Sequence, residues 1–138
     1  MPHSFVWSGG KFWVHTTSKR PRVKALTRRP ESCIVVTSKG TEMAGAMVTA
    51  KTHAKVHHGD RDLVRWLLPL FFDRTGLGPD AESRAQLMQL FDTPARVVME
   101  FTPVEFITYS SAELDDAVLS SGFDQWGRRG PAGKGARP

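Results

Sequence analysis

The sequence predicts a mainly β domain of the α+β kind, a small antiparallel barrel with inserted helices. Three observations carry that expectation. Aromatic and β-branched runs separated by turn signals fill most of the first 58 residues, one short basic helical stretch interrupts them, and a pair of longer helical stretches precedes a last β-rich run. A length of 138 residues suits one domain with a single core. With 40% apolar and 24% charged residues, the composition is that of a globular protein rather than a disordered one. No run approaches the roughly 20 apolar residues that span a bilayer. The start, "MPHSFVWSGG", lacks the basic and continuously apolar character of a secretory signal, so a cytoplasmic location is expected.

The elements follow in order. "SFVWSGGKFWVHTT" holds two strand-like runs, at about 4 to 7 and 11 to 17, around Ser8-Gly9-Gly10, a hairpin signal because tight turns need positive φ. "SKRPRVKALTRR" places Pro21 at a helix start, offers Val23, Ala25 and Leu26 as a short apolar stripe, and stops at Pro30. "SCIVVTS" is a bounded β-branched run, expected to be a buried strand with Cys33, the one cysteine, as a small core residue. From Met47 to Val56 the chain alternates, with Lys51, His53 and Lys55 on one face and Ala50, Thr52 and Ala54 on the other, as a half-buried strand does.

"DRDLVRWLLPLFFD" has helical length, Asp60 or Asp62 as N-cap, and Pro69 as a kink or break. "GLGP" is a loop, and Asp80 to Phe91 reads as a second helix whose apolar side is Ala85, Leu87, Met88, Leu90 and Phe91. "RVVMEFTPVEFITYSS" carries Pro103 in its middle, which predicts two strands meeting at a bend or one edge strand. The domain is expected to end at residue 113. Residues 114–138, which include "GRRGPAGKGARP", read as a disordered basic tail.

Charge is concentrated early. Lys19, Arg20, Arg22, Lys24, Arg28 and Arg29 crowd one short stretch of a chain whose net charge is +5. Such a run is compatible with a solvated helix face, with a nucleic-acid surface, or with capture of one phosphate. The last reading needs a strand ending in hydroxyl residues, here Thr16, Thr17 and Ser18, then a turn opening a helix with free N–H groups beside Arg and Lys.

The order of these pieces resembles the flavin-binding split-barrel family typified by pyridoxamine 5′-phosphate oxidase. That family shows a strand ending in threonine, a basic turn and short helix resembling K-x-R-N-L-x-x-x-P, and then an apolar strand; this chain has "HTTSKRPRVKALTRRPESCIVV". Arg22, Lys24, Leu26 and Pro30 fall on the two basic positions, the leucine and the closing proline. "AMVTAKTHAKV" and "RVVMEFTPVEFITYSS" resemble the following and closing strands, so the likeness runs from about residue 4 to 111. It implies a split β-barrel and a flavin-dependent oxidoreductase, with FMN bound by Arg22 and Lys24 at its phosphate. Thr16 and Thr17 then lie near phosphate and ring, His15 in an aromatic position, and Lys19 as an auxiliary phosphate contact.

Deazaflavin coenzyme F-420 is the rival cofactor, and a non-catalytic flavin or haem carrier is the rival role. A homodimer with cofactor sites at the interface and a small-molecule substrate complete the expectation; nucleic acid and membrane are not the expected partners. The chain departs from the family at Ala25 (commonly asparagine), at Pro21 inside the basic turn and at Thr52 (frequently glycine). It also opens at "MPHSFVW", where the turn before the second strand belongs, so the first strand is expected to be missing.

His53, His57 and His58 with Asp60 invite a metal reading. A regular strand spaces His53 and His57 roughly 13 Å apart, too far for one ion, and exposed strand-end histidines are the expectation. "WLLPLFF" is expected to pack against the barrel or a second subunit rather than a membrane. Tyr109, Trp66 and Phe72 are candidates for lining the substrate side. No side chain stands out as an essential acid or base, which suits a protein that leaves the chemistry to a cofactor.

Overall fold

The computed structural model describes residues 3–38 and 45–110. Its elements are β1 (Val6–Ser8), β2 (Lys11–Thr17), α1 (Pro21–Arg28), β3 (Glu31–Thr37), β4 (Ala46–His58), α2 (Arg61–Thr75), α3 (Ala81–Phe91) and β5 (Arg96–Ser110). The strands form one five-stranded sheet in the order β1-β2-β5-β4-β3, an open arrangement. β1 and β2 are the predicted hairpin, and the turn residues Gly9 and Gly10 take φ of 61° and 75°, which explains why both are glycine. The expected basic tail, 114–138, lies outside the described residues.

β2 pairs antiparallel with β5, and directly opposed residues share a face. Phe12↔Phe101, Val14↔Met99 and Thr16↔Val97 form one buried face. Trp13↔Glu100, His15↔Val98 and Thr17↔Arg96 form the other, which α2 covers. Val64, Leu67, Leu68 and Phe72 recur at helical spacing on α2 and pack with Val6 and Val98, with Trp13, Phe71, Leu87, Met88 and Phe91 around them. Each fully buried side chain of this kind contributes about 1.5–3 kcal/mol by leaving water.

Caps delimit both long helices. Asp60 Oδ1 accepts from the Leu63 N–H (3.0 Å) and Asp80 Oδ1 from the Ser83 N–H (2.7 Å). Gly76 closes α2 in the left-handed conformation, φ 73°, its N–H donating to Phe72 O at 2.8 Å. α2 runs through Pro69 unbroken. That proline sits on the exposed side, so the carbonyl its missing N–H leaves free faces water.

Four expectations are corrected. The last β-rich run is a single 15-residue strand in the middle of the sheet, neither bent pair nor edge. On the β2 side Pro103 has no ladder hydrogen bond to lose, because the paired register with β2 stops at Phe101, two residues before it. β3 is at an edge and carries no buried residue, so its β-branched composition reflected strand propensity rather than burial. Cys33 accordingly is exposed. On α3, Leu87, Met88 and Phe91 meet the core, whereas Ala85 and Leu90 face solvent.

Contacts divide the chain into two compact units. The larger holds 1–34 and 50–106, with both faces just described. Of the smaller, the described residues are 35–38, 45–49 and 107–110; there the Ser38 N–H donates to Ala46 O (3.0 Å), and the Ser38 hydroxyl donates to that oxygen at 2.9 Å.

Candidate functional site

β2 ends at Thr17, and the chain turns through Ser18 to Arg20 into α1. The Ser18 N–H donates to Ala95 O (2.8 Å) and the Arg20 N–H to Thr17 O (3.1 Å), which fixes the turn. Pro21 supplies the first helical φ, and no side chain caps this end of the helix. Val23, 2% exposed, is the buried residue of α1 and sets the helix's rotation. With about 100° between successive residues, Arg22 and Lys24 therefore diverge to opposite flanks. The structure does not bring the two predicted phosphate ligands together on one face.

Lys24 instead joins a different set. Ser18, Val23, Lys24, Thr27, Arg28 and His58 line an open cleft of about 350 Å³ between α1 and the end of β4. Val23 is its apolar floor. Thr27 donates its hydroxyl proton to Val23 O (2.7 Å), and Ser18, Lys24, Arg28 and His58 are the other polar residues of the lining. Arg28, part of the basic run but not among the expected site residues, and His58, expected as an exposed strand-end histidine, join this lining. Arg28 is legible as the residue four after Lys24 on the same face; His58 belongs to a distant strand end and has no local signal.

The electrostatics of this region differ from the rest of the chain. Lys11 pairs with Glu100 at 2.6 Å, Lys51 with Glu105 at 2.7 Å, and Arg61 and Arg65 both with Asp92, at 2.6 and 2.8 Å. Those two guanidiniums hold the Asp92 carboxyl down to about 2. Lys19, Arg20, Lys24, Arg28 and Arg29 have no carboxylate partner among the described residues, and α1 contains no acid. On its N-terminal side, burial and the positive charge of Arg22 lower the pKa of His3.

The remaining predicted residues are distributed as follows. Thr16 is buried on the face of Val14 and Val97, and Thr17 is half-buried at the strand end on the opposite face. Lys19 is exposed in the turn. His15 lies under α2, its ring centroid 4.3 Å from that of Phe71 and 5.6 Å from that of Phe91, away from the cleft. Arg96 Nη1 donates towards His15 Nδ1 at 3.4 Å, which leaves the buried Nε2 as the protonated nitrogen without a hydrogen-bond partner. Burial first, then the Arg96 charge, push the His15 pKa down to about 4.

Of the substrate-side candidates, Phe72 is 1% exposed in the α2 core and is excluded from lining any site, while Trp66 is 42% exposed and meets Trp13 edge-on at 5.0 Å. Tyr109 is a residue of β5. Among the histidines, His57 is not an exposed strand-end residue: it is half-buried, with Nε2 3.0 Å from Glu100 Oε2 and its ring stacked near Trp13. His53 reaches Glu31 at 4.0 Å on the exposed side.

This sheet order, with a short basic helix between the second and third strands and a helix pair before the last, defines a split-barrel fold of the pyridoxamine 5′-phosphate oxidase-like type. Comparison with solved structures bears this out. A conserved hypothetical protein from Mycobacterium tuberculosis superposes with a TM-score of 0.63 at 14% identity, covering 80% of this chain and 68% of the other. A candidate pyridoxamine 5′-phosphate oxidase from Listeria innocua gives 0.53 at 14% identity, over 77% and 73% of the two chains. An F420 reductase gives 0.54 at 20% identity, over 75% and 73%. No family model matches the sequence, and no curated protein matches it. No helix among the described residues is long and apolar enough to cross a membrane.

Proposed function

We propose that this protein is a flavin-binding oxidoreductase of the pyridoxamine 5′-phosphate oxidase-like class, taking FMN and a small organic substrate. The observation that carries the reading is α1: a helix without an acid, opening directly from a strand that ends in hydroxyl residues, with Lys24 and Arg28 paired to no carboxylate among the described residues. This donor set fits a phosphate and suits few other ligands.

Lys24, with Lys19 on the turn, holds the phosphate, and Arg22 on the other flank of α1 adds positive charge at the same helix start; Thr16 and Thr17 fix the strand end from which α1 departs. Bound flavin supplies hydride transfer, and the protein supplies binding, orientation and shielding from water. The fold shared with an F420 reductase supports deazaflavin as the second reading of the same site. A homodimer belongs to this proposal. Trp7, Val104 and Phe106 are large apolar side chains exposed on the larger unit, with the rings of Trp7 and Phe106 6.4 Å apart, and such a patch suits a subunit contact.

The absorbance spectrum of the purified protein, before and after incubation with FMN or F420, tests the cofactor. Arg22→Ala combined with Lys24→Ala is expected to weaken FMN binding at least tenfold, at about 1.4 kcal/mol per tenfold. Unchanged affinity in that double variant refutes the anchor. Turnover of reduced cofactor then separates an enzyme from a carrier.

A further inference from the structure

We infer that β3 is a docking edge at which a second copy of this chain adds its own β3, antiparallel and about a two-fold axis, so that the sheet continues from one molecule into the next. The contact goes beyond the homodimer proposed above and uses residues other than Trp7, Val104 and Phe106. β3 is the last strand in the order β1-β2-β5-β4-β3, so one side of it has no neighbouring strand among the described residues.

The hydrogen bonds on its paired side determine which backbone groups lie on the open one. Pro30 O accepts from the Ala54 N–H (2.7 Å), the Ser38 N–H donates to Ala46 O (3.0 Å), and Ser32 O accepts from the Thr52 hydroxyl (3.1 Å). In an antiparallel ladder a residue sends its N–H and C=O to one side, and the next residue sends both to the other. Even-numbered residues therefore face β4, and Glu31, Cys33, Val35 and Thr37 turn their N–H and C=O groups outward.

This stretch lacks the features that keep sheet edges from pairing. β1, at the other edge, has three residues, whereas β3 has seven, with no proline or lysine and with Glu31, at its first position, as the one charge. Exposed and half-buried residues alternate along all of β3, the pattern of a regular strand without a bulge. The four outward-bonding residues are exposed, Val35 at 53%.

A strand edge is its own complement. With the two-fold axis at Ile34, Cys33 stands opposite Val35 of the second copy and Glu31 opposite Thr37, and each such pair exchanges both N–H···O bonds. That register satisfies the outward groups of all four residues; an axis at Cys33 or at Val35 leaves one of the four without a partner in the facing β3. It also gathers the exposed Cys33 and Val35 side chains of both copies and sets no like charges opposite each other. A strand edge is much smaller than the roughly 1,600 Å² of a standard interface, so the association is weak and reversible.

Sedimentation equilibrium between about 10 μM and about 1 mM protein, the range of weak complexes, is expected to show a doubling of the mass found at low concentration. Val35→Pro removes one outward N–H and no bond to β4, and is expected to abolish the doubling with the thermal midpoint little changed. Val35→Lys, which charges the edge and leaves the backbone intact, is expected to do the same. A constant mass in the wild type, or a doubling that either folded variant retains, overturns the inference. Crosslinking reads the register. In Val35→Cys the introduced thiol faces Cys33 of the second copy with about 5.5 Å between Cα atoms, within disulfide range, so oxidation is expected to link pairs covalently about tenfold faster than in the wild type. Equal rates overturn the axis at Ile34.

Discussion

His15 makes the folded protein sensitive to mild acid. Its ring is packed between Phe71 and Phe91 beneath α2, with Nε2 buried and unpartnered and the Arg96 guanidinium beside Nδ1. The folded-state pKa falls from 6.5 to about 4, chiefly through burial and then through Arg96 and His3. A lowered pKa means that the unfolded chain binds the proton more readily, so protonation favours unfolding. The stability that neutral His15 supports is therefore complete above about pH 6.5 and is lost as pH falls towards 4.

At about 1.4 kcal/mol per pH unit, the full loss is roughly 3 kcal/mol, of which about 2.5 kcal/mol is gone by pH 4.5. That is a large share of the 5–15 kcal/mol typical of a domain. Urea unfolding at about pH 7.5 and pH 4.5 measures it, with His15→Phe as the comparison because a phenyl ring suits the aromatic surroundings. His3 shifts in the same direction, and the lowered Asp80, Asp92 and Glu100 act in more acid solution; all are common to both proteins. The wild type is expected to lose about 2.5 kcal/mol more than the variant between the two conditions. Equal losses would refute the argument.

Leu68→Ala, at a fully buried position of the α2 core, is expected to cost about 2–5 kcal/mol in urea or thermal unfolding. Gly76→Ala places a side chain at φ 73°, where a Cβ meets no atom but the backbone itself is strained; a loss of about 1–2 kcal/mol is expected, and a neutral result would show that α2 ends differently. Phe106→Glu puts a charge into the exposed apolar patch and is expected to convert the proposed dimer to monomer in light scattering, with secondary structure unchanged by circular dichroism.

Local pattern made much of this fold legible before any coordinates. The glycine pair between aromatic runs, the Asp caps and the alternation over β4 are each written within a few residues, and Ala50, Thr52 and Ala54 do face inward. Pairing partners are not written locally. Pro103 is tolerated inside a central strand where one of its two neighbours, β2, stops short of it. Ile34, Val35 and Val36 read the same in an edge strand as in a central one, because composition reports strand propensity and not the position that topology assigns. The candidate site divides the same way. The basic spacing singled out α1, but which of its side chains line the cleft depends on Val23 turning inward and on β4 delivering His58, both tertiary facts. Thr52 is likewise explained only in three dimensions: its buried hydroxyl donates to Ser32 O at 3.1 Å and lies 2.9 Å from the Ser32 hydroxyl, a pairing that a glycine there would lack.

The distribution of charge separates the three readings of the basic stretch. A purely solvated face needs no floor and no convergence; its cations point apart into water, where screening beyond about 8–10 Å makes their mutual repulsion cheap. Nucleic acid needs a track, with charges spread along a groove and aromatic rings beside them for stacking. Around α1 the cations on one flank converge on a single small cleft with a buried apolar floor, and the residues that line it are serine, valine, lysine, threonine, arginine and histidine, with no ring besides the imidazole. Elsewhere Asp92 and Glu100 each answer two basic groups, so the chain does place acids where its own fold requires neutrality. α1 carries no acid and no described carboxylate pairs with Lys24 or Arg28, the charge distribution from which the phosphate reading is proposed.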